Sequence, residues 1–320
     1  MKTLSSIAGL AGAALIGLGP APAQADYPTG PITLVVPFAA GGGGDTFTRA
    51  IAELAQERLG VNVMVENRTG GGGTIGVGSV ARAANDGHTL GFVSTSPVVM
   101  TPNFSEVPFD PATDITYVGR FVTSPIPMIV PADKPWQSFD DLVEWMRENP
   151  GRLRWSTSAT RGAPQIATEA LFGALGVEGV HIPMQGGSEV LAAILGDTLD
   201  MGVISEYAEP AMAGQVRVLA QSGPEPIAEM PDVPTYDALG SPLAPTMFFG
   251  IIGPADLPAE VTGTWDGLLA EIVEDPRFVE VADRLGGNLA FMPHEPFQAA
   301  VLRDIAAMSA ALEELGLLDD

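Results

Sequence analysis

Two glycine-rich loops are the parts of the sequence whose residue types best suit ligand binding. The first, Gly41–Gly44 in "VVPFAAGGGGDTFTR", lies between an apolar strand-like run and a helical pattern. The second, Gly70–Gly73 in "ENRTGGGGTIG", stands at the same point of the next strand–helix pair. Glycine lets a ligand reach the backbone, and the unpaired N–H groups at a helix start attract anions. Backbone binding of a small anion is one prediction; for the first loop, a tight turn with Asp45 as N-cap is the alternative.

Nucleotide-binding motifs fit these loops poorly. Gly71, Gly73 and Gly76 match G-x-G-x-x-G, but the motif follows the second predicted strand. No acidic residue ends the following strand, "HTLGFVSTS", and no P-loop pattern occurs in the chain. Since both loops follow consecutive strands, they should meet at one carboxyl edge of a sheet. This placement favours a small anion such as a carboxylate over a long cofactor.

Polar residues also end two later strand-like runs. Hydroxyls occur in Ser94–Val98 ("STSPV") and in Ser156–Gly162 ("STSATRG"), where they suit either a polar ligand or a helix cap. Arg161 is the one cation in these loops. An arginine can hold a carboxylate through two hydrogen bonds, although a surface salt bridge is the common alternative.

Motifs for catalysis or metal binding are missing from the sequence. There is no cysteine and no G-x-S-x-G pattern. His88, His181 and His294 are far apart and show no H-E-x-x-H spacing. We therefore expect no enzyme activity, no metal site and no cofactor, and we interpret His181 in "GVHIP" as a structural residue.

Strand-like and helix-like segments alternate along the chain, which predicts an α/β fold with parallel sheets. One sheet would need nearly ten strands, so two domains are expected, joined by extended segments near Thr123–Ile126 and Met247–Ile252. The predicted first domain is 26–123 plus 248–320, and the second is 124–247. Ser138 and Asp141 form a capping-box pattern, and helices over 259–274 and 296–315 should pack on the first domain.

The amino terminus indicates the compartment of the protein, and its overall charge limits the classes of partner it can bind. Residues 1–25 have a basic start, an apolar stretch and an A-x-A site, as in a secretory signal peptide. Export to the periplasm as a soluble protein is therefore expected. The formal net charge of −24 disfavours nucleic acid and anionic lipid as partners.

The glycine loops also resemble a known family, the extracytoplasmic substrate-binding proteins of tripartite tricarboxylate transporters, or Bordetella uptake gene (Bug) family. Its first loop, P-F-x-x-G-G-x-x-D, is similar to Pro37–Asp45, and its second, E-N-R-x-G-A-G-G-x-x-G, to Glu66–Gly76. Gly71 stands where the family usually has alanine. Further similar segments, such as "MPDVPTYDALG" and "FFGIIGPADLP", extend the resemblance over essentially the whole mature chain.

The resemblance implies a two-lobed periplasmic binding fold (type II, Venus flytrap) with two crossover strands. It implies that the glycine loops of the first lobe hold a ligand carboxylate, partly through ordered water, and that the second lobe sets specificity. Together with the hydroxyl loops, it gives these expected binding residues: Phe38, Ala39, Gly41, Gly42, Gly43, Asp45, Thr46, Gly70, Gly72, Gly73, Thr74, Thr95 and Ser96 in the first lobe, and Ser158, Arg161, Gln185, Gly186 and Ser205 in the second.

Departures from the family lie in the second lobe. The usual V-P-Y-K-G is Ile182–Gly186 here, without tyrosine or lysine, and a common histidine is Gln165. The expected function is a monomeric receptor that delivers a small organic carboxylate, a dicarboxylate or related acid, to the membrane subunits of a tripartite transporter. The alternative is a ligand-sensing partner of a membrane signalling system, since both use the same lobe closure.

Overall fold

A computed structural model describes residues 27–223, 226, 227, 229–314 and 318 of the chain. Within these residues the fold consists of two mixed β-sheets with helices on their faces. The predicted signal peptide, residues 1–25, lies outside the described residues.

The first sheet has six strands in the order β11-β4-β10-β3-β1-β2. Its strands are β1 (Ile32–Val36), β2 (Val63–Asn67), β3 (Thr89–Ser94), β4 (Ile115–Thr123), β10 (Phe248–Pro254) and β11 (Asn288–Pro293).

The second sheet has five strands in the order β7-β6-β8-β5-β9. Its strands are β5 (Pro127–Pro131), β6 (Leu153–Thr157), β7 (Gly179–His181), β8 (Met201–Val203) and β9 (Val216–Gln221).

Helices follow most of these strands, as the alternating pattern predicts. They are α1 (Gly43–Leu59), α2 (Thr74–Ala81), α3 (Phe139–Glu148), α4 (Ala163–Leu175), α5 (Gly187–Leu195), α6 (Ala208–Met212), α7 (Ala259–Ile272), α8 (Pro276–Leu285) and α9 (His294–Glu314). The capping box predicted at Ser138 is confirmed at the start of α3. Across the part of the chain described here, no helix is both long and apolar enough to cross a bilayer.

Strand β1 lies inside the first sheet, between β2 and β3, and is parallel to both. Ile32, Leu34 and Val36 have no exposed surface, because helices cover both faces of a parallel sheet and the strand reads as a continuous apolar run. The carboxyl ends of β1, β2 and β3 therefore meet at one edge. The loops that follow these three strands, including both glycine loops, lie side by side.

The chain passes between the sheets twice, and these passages make both sheets mixed. Ser124 follows β4 on the way to β5, and its N–H donates to the carbonyl of Met247, just before β10 (3.0 Å). Strand β10 is antiparallel to both β3 and β4, and β5 is antiparallel to β8 and β9. The two crossover segments are confirmed. The expectation of wholly parallel sheets is wrong, because a strand that arrives from the other sheet enters in the opposite direction.

The last helix contacts both halves of the molecule. Phe297 and Val301 of α9 pack in a core cluster of the first sheet, whereas Leu312 joins the core around the second sheet. We call the six-stranded sheet with its helices the first lobe and the five-stranded sheet with its helices the second lobe.

Candidate functional site

The candidate site is the cleft between the lobes, at the carboxyl edge of β1, β2 and β3. Loops of the second lobe face this edge, and two cavities lie between them, of about 220 Å³ and about 40 Å³. Phe38 and Ser158 line both cavities, so the two spaces adjoin. The Ser158 hydroxyl forms no hydrogen bond within the described part of the chain and is free for a ligand.

The second glycine loop has a conformation that requires glycine. Gly70, Gly71, Gly72 and Gly73 have φ of 122°, 59°, 66° and 99°, all in the positive region that other residues rarely adopt. The N–H of Gly73 donates to the carbonyl of Gly70 (3.0 Å), which closes the turn. Among the described residues, the N–H groups of Gly71 and Gly72 have no partner. Successive free N–H groups in such a turn form a concave anion site.

The N–H groups of Gly41, Gly42 and Gly43 in the first glycine loop already donate to acceptors of the protein. The N–H of Gly41 donates to Oδ2 of Asp45 (2.9 Å), and the N–H of Gly43 donates to Oε1 of Glu206 in the second lobe (2.5 Å). Helix α1 has Gly42 as its N-cap. The prediction of Asp45 as N-cap is wrong, because its carboxylate lies inside the first turn and reaches back to Gly41.

The buried carboxylate of Asp45 holds the first glycine loop in place through hydrogen bonds. It is 2% exposed, and its carboxylate also accepts hydrogen bonds from Nε of Arg49 (2.8 Å) and Nδ2 of Asn67 (2.8 Å). Burial alone would raise the pKa of Asp45, but the hydrogen bonds from Arg49, Gly41 and Asn67 together hold that pKa below its ordinary value. Because Asn67 ends β2, this network joins the first loop to the start of the second.

The two lobes are in contact across the cleft. The N–H of Ala163 in the second lobe donates to Oγ of Ser96 (3.0 Å), and Oγ1 of Thr101 donates to the carbonyl of Arg161 (3.1 Å). A Cβ on Gly43 would lie 2.8 Å from Oγ of Ser205, so the lobes approach too closely there for any side chain. The structure is therefore a closed form.

Arg161 lies exposed at the rim of the larger cavity. Its Nη1 donates across the cleft to the carbonyl of Phe104 (2.8 Å) and to Oγ of Ser105 (3.3 Å). Its own backbone has φ of 56°, and Oε1 of Gln165 accepts its N–H (2.6 Å). Gln165 thus holds the loop that carries Arg161.

Glu206 is one of the cleft residues that the sequence analysis missed, and it contacts the first glycine loop directly. It follows Ser205 just after β8, and its Oε2 accepts a hydrogen bond from Oγ of Ser205 (3.2 Å). Burial raises the pKa of Glu206 above its ordinary value, against the opposing effect of its hydrogen bonds. The sequence feature that could have identified Glu206 is its position, because it follows the end of a strand just as the predicted residue Ser205 does.

The cavities contain most of the predicted binding residues. Those that line the larger cavity are Phe38, Gly70, Gly72, Gly73, Thr74, Ser158, Arg161 and Gln185. Those that line the smaller one include Gly42, Gly43, Ser96 and Ser205. Gly71, within the predicted loop Gly70–Gly73, also lines the larger cavity. Lining residues that were not predicted include Gly44, Thr101, Ser105, Glu106, Thr160, Met184, Gly187 and Glu206.

The remaining predicted residues line neither cavity: Ala39, Gly41, Asp45, Thr46, Thr95 and Gly186. Thr95 is instead part of the crossover, because its Oγ1 accepts the N–H of Phe248 (3.0 Å) and donates to the carbonyl of Thr246 (3.1 Å). Ala39 contacts the second lobe through its N–H, which donates to the carbonyl of Gln185 (3.3 Å).

His181 packs edge-on against Trp155, with ring centroids 4.7 Å apart. Burial lowers the pKa of His181 to about 4, so the ring is neutral at pH 7. Within the described residues, no group of three or more histidine, aspartate or glutamate side chains is placed to hold a metal ion.

Comparisons with known proteins agree on one family. Residues 47–315 match the family described as "Tripartite tricarboxylate transporter family receptor". The chain is 30% identical over 315 residues to the Cupriavidus necator "UPF0065 protein in gbd 5'region", covering 97% of this chain and 96% of that protein.

Solved structures share the fold. The periplasmic binding protein BugD superposes with a TM-score of 0.82 at 27% identity, over 92% of this chain and 100% of that chain. MatC from Rhodopseudomonas palustris with bound malate superposes with a TM-score of 0.80 at 23% identity, over 89% and 100%. The predicted two-lobed periplasmic binding fold and the predicted family are confirmed. The chain belongs to the receptors of the tripartite tricarboxylate transporter family, which are periplasmic solute-binding proteins.

Proposed function

We propose that this chain is exported by its first 25 residues and closes its two lobes around a small organic carboxylate in the periplasm. The observation that carries the proposal is the pair of free N–H groups at Gly71 and Gly72, beside a cavity of about 220 Å³. A carboxylate oxygen that accepts backbone N–H groups forms a strong, charge-assisted hydrogen bond. The bound malate of MatC, which shares the fold, supports this class of ligand.

The second lobe completes the site in this proposal. Ser158 offers a free hydroxyl to the ligand, and Arg161 adds a positive charge at the rim. The contacts from Ala163 to Ser96 and from Thr101 to Arg161 close the cleft over the ligand. We infer that residues 124–247 move as one body in this closure, with hinges at the two crossover segments.

The negative charge of the protein does not prevent anion binding. The formal net charge is −24, but at physiological salt the Debye length is about 8 Å, so distant carboxylates are largely screened. The N–H groups of Gly71 and Gly72 act at hydrogen-bond distance. They therefore attract the ligand at short range, where the distant carboxylates have little effect.

We further propose that the loaded, closed form delivers its ligand to the membrane subunits of a tripartite transporter. The family to which the chain belongs supports this step. Uptake of a radiolabelled acid by vesicles that contain the neighbouring membrane subunits should depend on addition of this protein. Uptake that proceeds equally without the protein would contradict the delivery role.

Thermal unfolding and calorimetry against a panel of small organic acids test the binding step. An acid at 100 times its dissociation constant should stabilise the protein by about 2.7 kcal/mol. A matched panel of the corresponding amides and alcohols, which lack the carboxylate, should give no stabilisation. If no acid stabilises the protein, the proposed function is wrong.

A further inference from the structure

A carboxylate of the protein already occupies the donors of the first glycine loop. Oε1 of Glu206 accepts the N–H of Gly43 (2.5 Å), and Oε2 accepts the hydroxyl of Ser205 (3.2 Å). The start of helix α1 attracts negative charge. In the closed form the Gly43 donor is filled from the second lobe, so we place the ligand carboxylate at the second loop, on the free N–H groups of Gly71 and Gly72.

No cation of the described residues faces the Glu206 carboxyl group. Within the described residues, none of the lysine, arginine or histidine side chains lies within 4.0 Å of its carboxylate. Arg161, the cation of the cleft, points its Nη1 at Phe104 and Ser105 instead. In the described part of the chain, the carboxyl group of half-buried Glu206 is held by hydrogen bonds alone, from Gly43 and from Ser205 and its own backbone. An ammonium group would add the opposite charge that a carboxylate in such a place normally has beside it.

The small cavity beside Glu206 has three aromatic side chains and a carboxyl group in its lining. Its volume of about 40 Å³ exceeds the roughly 10–15 Å³ that a cavity needs on this measure to hold one water molecule, so a group as small as an ammonium fits. Phe38, Phe92 and Phe249 contribute to its lining together with Glu206. Aromatic rings attract ammonium groups through their negative faces and do not attract carboxylates in this way.

We propose that Glu206 determines specificity: the cleft takes a ligand whose single carboxylate binds at Gly71 and Gly72 and whose ammonium group enters the small cavity beside Glu206. This inference rests on the proposed function. Because Phe38 and Ser158 line both cavities, one small molecule reaches from the free N–H groups to Glu206. A dicarboxylate would place its second charge against Glu206 and be repelled.

Calorimetry with acids of matched length tests the proposal. The probes are ω-amino acids from 3-aminopropionate to 6-aminohexanoate and the α-amino acid leucine, each with one carboxylate and one ammonium group. Each is compared with the dicarboxylate and the plain monocarboxylate of the same chain length. The wild-type protein should bind the best amino acid at least about tenfold more tightly than both analogues.

Substitution of the carboxylate by an amide isolates the role of Glu206. Glu206→Gln should weaken the best amino acid by about tenfold or more and strengthen the matched dicarboxylate. Glu209→Gln is the control, because Glu209 is exposed on α6, lines neither cavity and carries the same charge. This variant should bind like the wild type.

Three outcomes separate the inference from the function on which it rests. If acids bind but dicarboxylates bind as tightly as amino acids, the inference is wrong and the proposed function stands. If Glu206→Gln keeps the preference for amino acids, the inference is also wrong. If no acid of any class binds the wild type, both fail. Should Glu206→Gln not fold, the comparison of probes on the wild type still decides.

Discussion

Substitution of Gly72 by alanine separates the cost of an unusual backbone conformation from the cost of blocking lobe closure. Gly72 has φ of 66°, and a Cβ there would lie 2.7 Å from the carbonyl oxygen of Thr160 in the second lobe. Gly60, at the end of α1, has nearly the same φ of 68°, but a Cβ there meets nothing within 4 Å. The two variants therefore share the backbone strain and differ in the contact between lobes.

The two costs appear in different measurements. A non-glycine residue in the left-handed region costs roughly 1–2 kcal/mol, so Gly60→Ala and Gly72→Ala should both lower the free energy of unfolding by that amount. The contact with Thr160 exists only when the lobes are closed. Overpacking costs about 1–3 kcal/mol, which corresponds to roughly a 5- to 150-fold loss of affinity.

The assay is urea unfolding without ligand, followed by calorimetry with the acid that stabilises the wild type most. Gly60→Ala should keep wild-type affinity, and Gly72→Ala should lose affinity while its unfolding matches that of Gly60→Ala. If Gly72→Ala binds the acid as tightly as Gly60→Ala does, the closed arrangement of the lobes does not represent the ligand-bound form.

Three further predictions concern single side chains. Arg161→Ala removes the hydrogen bond from Nη1 to the carbonyl of Phe104 across the cleft and should weaken the best acid roughly tenfold in calorimetry. Asp45→Asn removes a buried charged acceptor with three donors and should lower the free energy of unfolding in urea by about 1–3 kcal/mol. His181 has a pKa of about 4 in the folded protein, below its unfolded value near 6.5, so the unfolded state takes up the proton first on acidification. The free energy of unfolding should fall between pH 6.5 and 4 more steeply in the wild type than in His181→Asn; equal slopes in urea titrations would contradict this assignment.

Local patterns in the sequence were sufficient to place the glycine loops. Gly41–Gly44 and Gly70–Gly73 each come shortly after a five-residue strand, β1 or β2. Because β1 and β2 are parallel neighbours, their carboxyl ends lie together. All four residues of the second loop have positive φ, a backbone conformation that glycine adopts more easily than any other residue, which explains the four glycines there. The capping box of α3 is likewise a local pattern, and it was predicted correctly.

Long-range contacts were beyond the sequence patterns. Gly43 and Glu206 are 163 residues apart, and their hydrogen bond depends on how the lobes meet. The sequence therefore explained Gly43 by a ligand, whereas the structure places Ser205 and Glu206 against it. Strand β11 was not predicted, since its exposed and half-exposed residues lack a clear alternation.

The central claim is that a ligand carboxylate binds the free N–H groups of Gly71 and Gly72. Amide ¹H–¹⁵N spectra of the deuterated protein, titrated with the acid that stabilises it most, test this claim directly. The Gly71 and Gly72 amide protons should move downfield with a dissociation constant equal to that from calorimetry, and the Gly60 amide should stay in place. If calorimetry shows binding while the Gly71 and Gly72 amides do not move, the carboxylate binds elsewhere and the account is wrong.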